Sequence, residues 1–392
     1  MKFSVYNCIV KLNIRQTYYK YGAIVLILLF AAVQFFLILR HKSPYLSDSY
    51  FYQHIFYELK GENFDSAREK VKEFVDLKNA DEIGKNIFEN PQPYRNSYGF
   101  FIKRPLYPVS AYLVNMIIPN VYLSFLIPVL AAYLGTIVLV YIFSVRELGK
   151  LYGIATTALF ISFYPFLDWS TYFMTDTIGA FFWLLQLFFI YKFIKTHTNK
   201  WLVLFAAVLA ISLLNREQNV LMVPLLGLFQ VLGWAFKMPV KNKNSALMLF
   251  GISIFVVFVF IVTSFILGQK NILDTLVYTQ NSYGLKNNTY TAKETLDYII
   301  RLVKVDHIVF VRELVQHHWW FLLSVLSIFG VFKTVIFKKD RTLITLLIFS
   351  SGVASYLSIF IYPMLSYRFF YPLLFAVIFF AMKFTKGYFE KA

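Results

Sequence analysis

Four carboxylates and three arginines stand apart from the other charges of this sequence. Of its 21 acidic residues, 15 lie in two long connections, and Glu147, Asp340 and Glu390 follow apolar blocks on what the charge pattern makes the opposite side; Asp168, Asp176 and Glu217 remain. These three sit at the ends of apolar blocks, and Asp48 lies a few residues beyond the first block, so the four form a candidate ring of carboxylates at one membrane boundary. Arg104, Arg216 and Arg368 fall at block or helix ends on the same side. Arginine carries a permanent charge on a planar donor fork that matches phosphate oxygens, whereas a carboxylate can accept a proton. Acids and arginines together at headgroup depth therefore point to chemistry on a lipid phosphate. The plainer alternative is that these charges pair with one another or reach outward to water.

The elements that must position them are membrane helices. The 392 residues are 58% hydrophobic and 20% aromatic, which excludes an ordinary soluble domain. Apolar blocks of bilayer-spanning length predict an all-α polytopic membrane protein with about ten spans: 21–39, 121–145, 151–167, 176–195, 201–214, 218–236, 246–268, 318–336, 342–361 and 367–385. Positive charges favour the cytoplasmic side. With the N-terminus inside, 19 of the 38 Lys and Arg residues fall in cytoplasmic segments, while the short external turns hold only Arg216 and Arg368. One topology satisfies every loop, with both termini cytoplasmic and the acid–arginine set external. The net charge of +17 is thereby accounted for by membrane placement and implies no nucleic-acid partner.

Two long connections fall outside, 40–120 and 269–317, and the whole chain reads as one membrane-embedded domain without internal repeats. In the first, Phe64, Val71, Phe74 and Leu77 are spaced as one apolar helix face, which predicts a helix lying on the membrane or against the bundle. Leu106 to Ile118, bracketed by Pro105 and Pro119, is too short to span and predicts an interfacial helix.

Other chemistry is weakly signalled. Cys8 is the single cysteine, which removes any disulfide framework or thiolate zinc cluster within the chain. His317 and His318 precede Trp319 and Trp320 at an external span start, where an aromatic belt accounts for the tryptophans and adjacent histidines point about 100° apart on a helix. Asn287-Asn288-Thr289 has the pattern of a glycosylation sequon. No glycine-rich phosphate loop is present, which argues against sugar nucleotides as direct donors and favours a lipid-linked one.

The order of local patterns resembles the GT-C superfamily of polytopic glycosyltransferases that use polyprenyl-phosphate sugars, including protein mannosyltransferases and the lipid A aminoarabinose transferase. The likeness rests on Ser47-Asp48-Ser49-Tyr50-Phe51-Tyr52, Arg104-Pro105-Leu106-Tyr107-Pro108, Met174-Thr175-Asp176, Asn215-Arg216-Glu217-Gln218 and Tyr367-Arg368-Phe369-Phe370-Tyr371-Pro372. The chain departs in having Glu217 where the family commonly has proline, and fewer spans than several members. The resemblance implies an inverting glycosyl transfer at the external membrane face of a cell or inner membrane. Asp48 would be the general base for an acceptor hydroxyl or amine, and Asp176 would orient the acceptor or an accompanying divalent cation. Arg104, Arg216 and Arg368, with Tyr107 and Glu217, would bind donor and phosphate. The acceptor would be a lipid, a glycan or a protein. A transporter or flippase for a lipid-linked glycan, or a glycan polymerase or ligase, would share much of this pattern.

Overall fold

The computed structural model describes residues 22–78, 80–281, 286, 288–316, 318–337, 341–361, 368 and 370–390. Cys8, the basic N-terminal segment, Asn287, His317 and Tyr367 lie outside these. Helix α1 (Gly22–Arg40) enters the bundle. It is followed by four short helices, α2 (Ser47–Leu59), α3 (Phe64–Lys72), α4 (Glu82–Glu89) and α5 (Pro91–Tyr98), and then by α6 (Leu106–Ile117). The bundle continues through α7 (Val121–Leu148), α8 (Lys150–Ile161), α9 (Tyr164–Trp169), α10 (Thr175–Thr196), α11 (Asn199–Leu213), α12 (Met222–Ala235) and α13 (Val240–Ile266). The second long connection forms α14 (Ile272–Gln280) and α15 (Ala292–Gln316), and α16 (His318–Val331), α17 (Leu343–Tyr356), α18 (Ser358–Ile361) and α19 (Tyr371–Phe389) close the bundle.

The protein is thus an all-α, multi-pass integral membrane protein. Seven of its described helical segments are long and apolar enough to cross a membrane, counting Glu217–Ala235, where a 3-10 turn precedes α12, and Trp319–Ile336, where a π turn extends α16. The three remaining sequence spans are present as the shorter apolar helices α8, α11 and α17. Two of these correct the expected spans. The block 151–167 breaks after Ile161, with Pro165 at the start of α9, and the block 342–361 breaks at Leu357 between α17 and α18. Proline has no N–H to give to a continuing helix, which explains the first break. The helix expected across 64–77 also stops early: α3 ends at Lys72, Val71 is fully buried, and Phe74 lies beyond the helix and is exposed. The helix expected from Leu106 to Ile118 is present as α6, packed on α7.

The two long connections meet at one end of the bundle. Phe173 N–H donates to the Pro44 carbonyl at 2.9 Å, and Lys42 pairs with Asp168 at 2.7 Å, so the chain leaving α1 is pinned to the turn before α10. At the other end, Glu147 of α7 accepts from Thr342 at 2.7 Å and Thr345 at 2.9 Å and pairs with Lys383 of α19.

Candidate functional site

The pinning of 42–46 to 168–173 sets the first turn of α2 against the first turn of α10. Asp48 and Tyr52 are one helical turn apart, so they share a face. The Tyr52 hydroxyl lies 3.2 Å from Thr175 Oγ1, one residue before Asp176. Burial raises the Tyr52 pKa, with the Arg104 cation acting against that and Asp48 with it. Asp48 and Asp176 are thereby brought to one place from opposite sides of a helix–helix junction.

Arg216 comes from the turn between α11 and α12, and a polar network inside the bundle holds that turn. Gln186 of α10 donates to Ser212 Oγ and to Asn219 Oδ1, both at 3.0 Å; Asn219 in turn donates to the Arg216 carbonyl at 3.0 Å, and Asn215 to the Thr175 carbonyl at 3.0 Å. A buried amide left unpaired is costly, so this network fixes the backbone on either side of Arg216. Gly179 is one turn beyond Asp176, and a Cβ there would come within 3.3 Å of Arg216 Cδ. A hydrogen at that position lets the arginine stem lie across α10.

The charges that result form one chain of ion pairs. Arg216 pairs with Asp176, and Arg368 stands between the two acids, 3.8 Å from Asp176 Oδ1 and 3.3 Å from Asp48 Oδ2. The two carboxylates differ in access. The Asp176 side chain is 3% exposed, the Asp48 side chain 26%. Burial opposes the charge on Arg368, but Asp176 and Asp48 outweigh it and raise its pKa above the usual arginine value. Trp169 lies 5.2 Å from the guanidinium and covers it on another side. A narrow cleft lined by Asp176, Trp183, Arg216, Asn219, Arg368 and Tyr371 opens beside this cluster. Its volume of about 10 Å³ admits roughly one water, so a phosphate group must displace one of the acid–arginine pairs to enter.

Glu217 faces a second basic pair. It pairs with Lys103 and lies 3.8 Å from Arg104, while Lys103 also donates to the Lys270 carbonyl at 2.6 Å. Burial lowers the Lys103 pKa and Glu217 counters it. The sequence reading missed Lys103; its only signal was adjacency to Arg104 ahead of Pro105. Tyr107 is placed differently from the other candidate residues: it is fully buried and donates to the Phe125 carbonyl at 3.0 Å, fastening α6 to α7. Asp168 is taken up by Lys42, and Trp320, 6% exposed, packs on Phe163. Among the described residues no group of three His, Cys, Asp or Glu side chains is placed to hold a metal ion. Asp48 and Asp176 are each paired with arginine.

The helical membrane bundle thus carries a paired acid–arginine site at one end. Residues 103–264 match the family model described as dolichyl-phosphate-mannose-protein mannosyltransferase, so over that segment the chain is similar to membrane glycosyltransferases of the GT-C type. The matched segment contains Lys103, Arg104, Asp176, Arg216 and Glu217, whereas Asp48 and Arg368 lie outside it. No curated protein matches the chain.

Proposed function

We propose that the protein transfers a sugar from a polyprenyl-phosphate donor to an acceptor hydroxyl at the external membrane face, with inversion at the anomeric carbon. The observation that carries this reading is that Arg368 contacts both acids, of which only Asp48 is substantially open to solvent. An incoming lipid phosphate competes for Arg368 and Arg216, whose planar donor forks suit its oxygens. Asp48 is then left to accept the acceptor proton. The acceptor oxygen attacks the anomeric carbon, its proton passes to Asp48, and the bond to the phosphate oxygen breaks with its electron pair on the phosphate. The arginines stabilise the charge that develops there, in surroundings drier than water. Asp176, buried and paired to both arginines, is a positioning residue that holds them before the phosphate arrives.

External placement is supported by the segregation of basic residues toward the opposite bundle end, including Arg146, Lys192, Lys195, Lys241 and Lys383. The decisive experiment is transfer of radiolabel from a polyprenyl-phosphate hexose by purified Asp48→Asn protein. General bases contribute about 10²–10⁴-fold, so transfer is expected to fall by that much while donor binding persists. Undiminished transfer removes Asp48 from the mechanism.

A further inference from the structure

A second, larger cavity of about 700 Å³ lies between the two long connections. Gln92, Asn96 and Phe100 recur every fourth residue along α5 and the turn beyond it, and Asp274 and Tyr278 recur likewise on α14, so each line forms one helix-face stripe. All five line the cavity, together with Lys270. The walls are fastened to each other. Lys270 Nζ donates to the Asn96 carbonyl at 3.0 Å and lies 4.4 Å from the centre of the Phe100 ring, the Phe100 and Tyr278 rings are 4.9 Å apart, and the Ser97 and Tyr278 hydroxyls are in contact. Gly99 leaves room for the lysine stem, since a Cβ there would come 3.1 Å from Lys270 Cε.

Resting on the glycosyltransferase reading above, we propose that this cavity binds the acceptor and that the acceptor is a saccharide. Its volume suits a small oligosaccharide. Exposed side-chain amides at Gln92 and Asn96 each offer donors and an acceptor, the pattern that adjacent sugar hydroxyls require. Phe100 and Tyr278 supply an aromatic edge for the C–H faces of a ring. Lys270 and Lys286 stand against Asp274 in the lining, so the cavity carries only a small positive charge, and its polar side chains do not suit an acyl chain. The cavity is also joined to the reaction site: Lys103 binds the Lys270 carbonyl on one side and the Glu217 carboxylate on the other, and Glu217 follows Arg216.

Saturation-transfer NMR on protein in lipid nanodiscs, which avoids sugar-headed detergents, tests this with mannotriose, maltotriose and chitotriose as probes. At least one trisaccharide is expected to bind, and Asn96→Trp, which projects an indole into the cavity from an exposed helix position, is expected to weaken it by at least about tenfold. The same variant is expected to keep its affinity for polyprenyl phosphate within twofold. A Gln92→Ala, Asn96→Ala double variant guards against misfolding by the tryptophan and is expected to show the same split. The inference is overturned if no trisaccharide binds, if both variants bind them as the wild type does, or if label transferred in native membranes is recovered in the lipid or protein fraction instead of the glycan. Trisaccharide binding without any transfer from a polyprenyl-phosphate hexose sinks the transferase reading and leaves the saccharide site standing.

Discussion

The guanidinium of Arg368 reaches the carboxylate of Asp48 at 3.3 Å across 320 residues of chain. The contact joins the first turn of α2 to Arg368, just ahead of α19. If the pair exists to hand Arg368 to a phosphate, the charge geometry matters more than the charge alone. Arg368→Lys keeps the positive charge and loses the fork, and it is expected to raise the donor KM and to cut kcat by about 10²-fold, with Arg368→Ala lower still. Steady-state transfer at varied donor concentration checks this, and a lysine variant with wild-type constants would show that Arg368 only neutralises the acids.

Asp176 is the opposite case, a buried acid whose partners are both arginines. Asp176→Asn leaves Arg216 without its carboxylate in a site where the arginine side chain is 6% exposed. Breaking one partner of a buried ion pair costs about 3–5 kcal/mol, whereas replacing both with apolar residues of similar size is often close to neutral. The single variant is therefore expected to show a clear drop in thermal midpoint, and Asp176→Leu combined with Arg216→Met is expected to recover most of it while remaining inactive. Recovery of activity in the double variant would exclude both residues from the reaction.

These residues were legible in the sequence because membrane cost sorts charges: an acid or arginine at the end of an apolar block is conspicuous, and Asp48, Asp176, Arg216 and Arg368 all met that test. The pairing was not legible. Nothing in local spacing says that Asp176 takes Arg216 or that Asp168 takes Lys42, since both pairings depend on how the turns before α2, α10 and α12 dock. Lys103 was hidden for the same reason, as its role depends on a carbonyl 167 residues away. Tyr107 carried the right neighbours in sequence, but burial turned its hydroxyl to the Phe125 backbone. Gln186 is a single amide inside an apolar block with nothing in its neighbourhood to mark it, yet it anchors the turn that carries Arg216. The breaks at Ile161 and Leu357 escaped the hydropathy pattern because an apolar count does not register where the backbone stops being helical.

His54 of α2 makes the first long connection sensitive to acid. Its ring is buried between Phe64 and Tyr98, each 4.6 Å away, with Nδ1 3.0 Å from the Tyr94 hydroxyl. Burial, and then the Arg68 cation, push its pKa from 6.5 down to about 4, while Glu58 at 3.5 Å favours the charged form. Between those two values the unfolded segment holds a proton that the folded one does not. Stability contributed by neutral His54 is therefore complete above about pH 6.5, is lost as pH falls toward about 4, and changes no further below. At about 1.4 kcal/mol per pH unit the loss is at most on the order of 3 kcal/mol. Hydrogen exchange across 50–57 at pH 7.5 and pH 5 is expected to show weakened protection in the wild type and a flatter response in His54→Gln. Equal responses would place the acid sensitivity elsewhere.

Glu217 occupies the position where the resembled family commonly carries proline, and its neighbours give a physical reason. Lys103 is only 1% exposed at its side chain, and burial alone would favour shedding its proton. Glu217 opposes that shift, and the Lys103 amine donates to the Lys270 carbonyl and ties the first long connection to the second. Glu217→Pro should therefore cost more than a helix start normally does. It removes the carboxylate, strands Lys103 and frees the connection that walls the larger cavity. Glu217→Gln is expected to lower the thermal midpoint by several degrees, and Lys103→Met in the same protein should restore most of it, because the buried charge is gone. If the ammonium also positions the acceptor, the rescued double variant should stay deficient in transfer while binding polyprenyl phosphate normally. A fully active rescue would reduce the Lys103–Glu217 pair to a structural fastening.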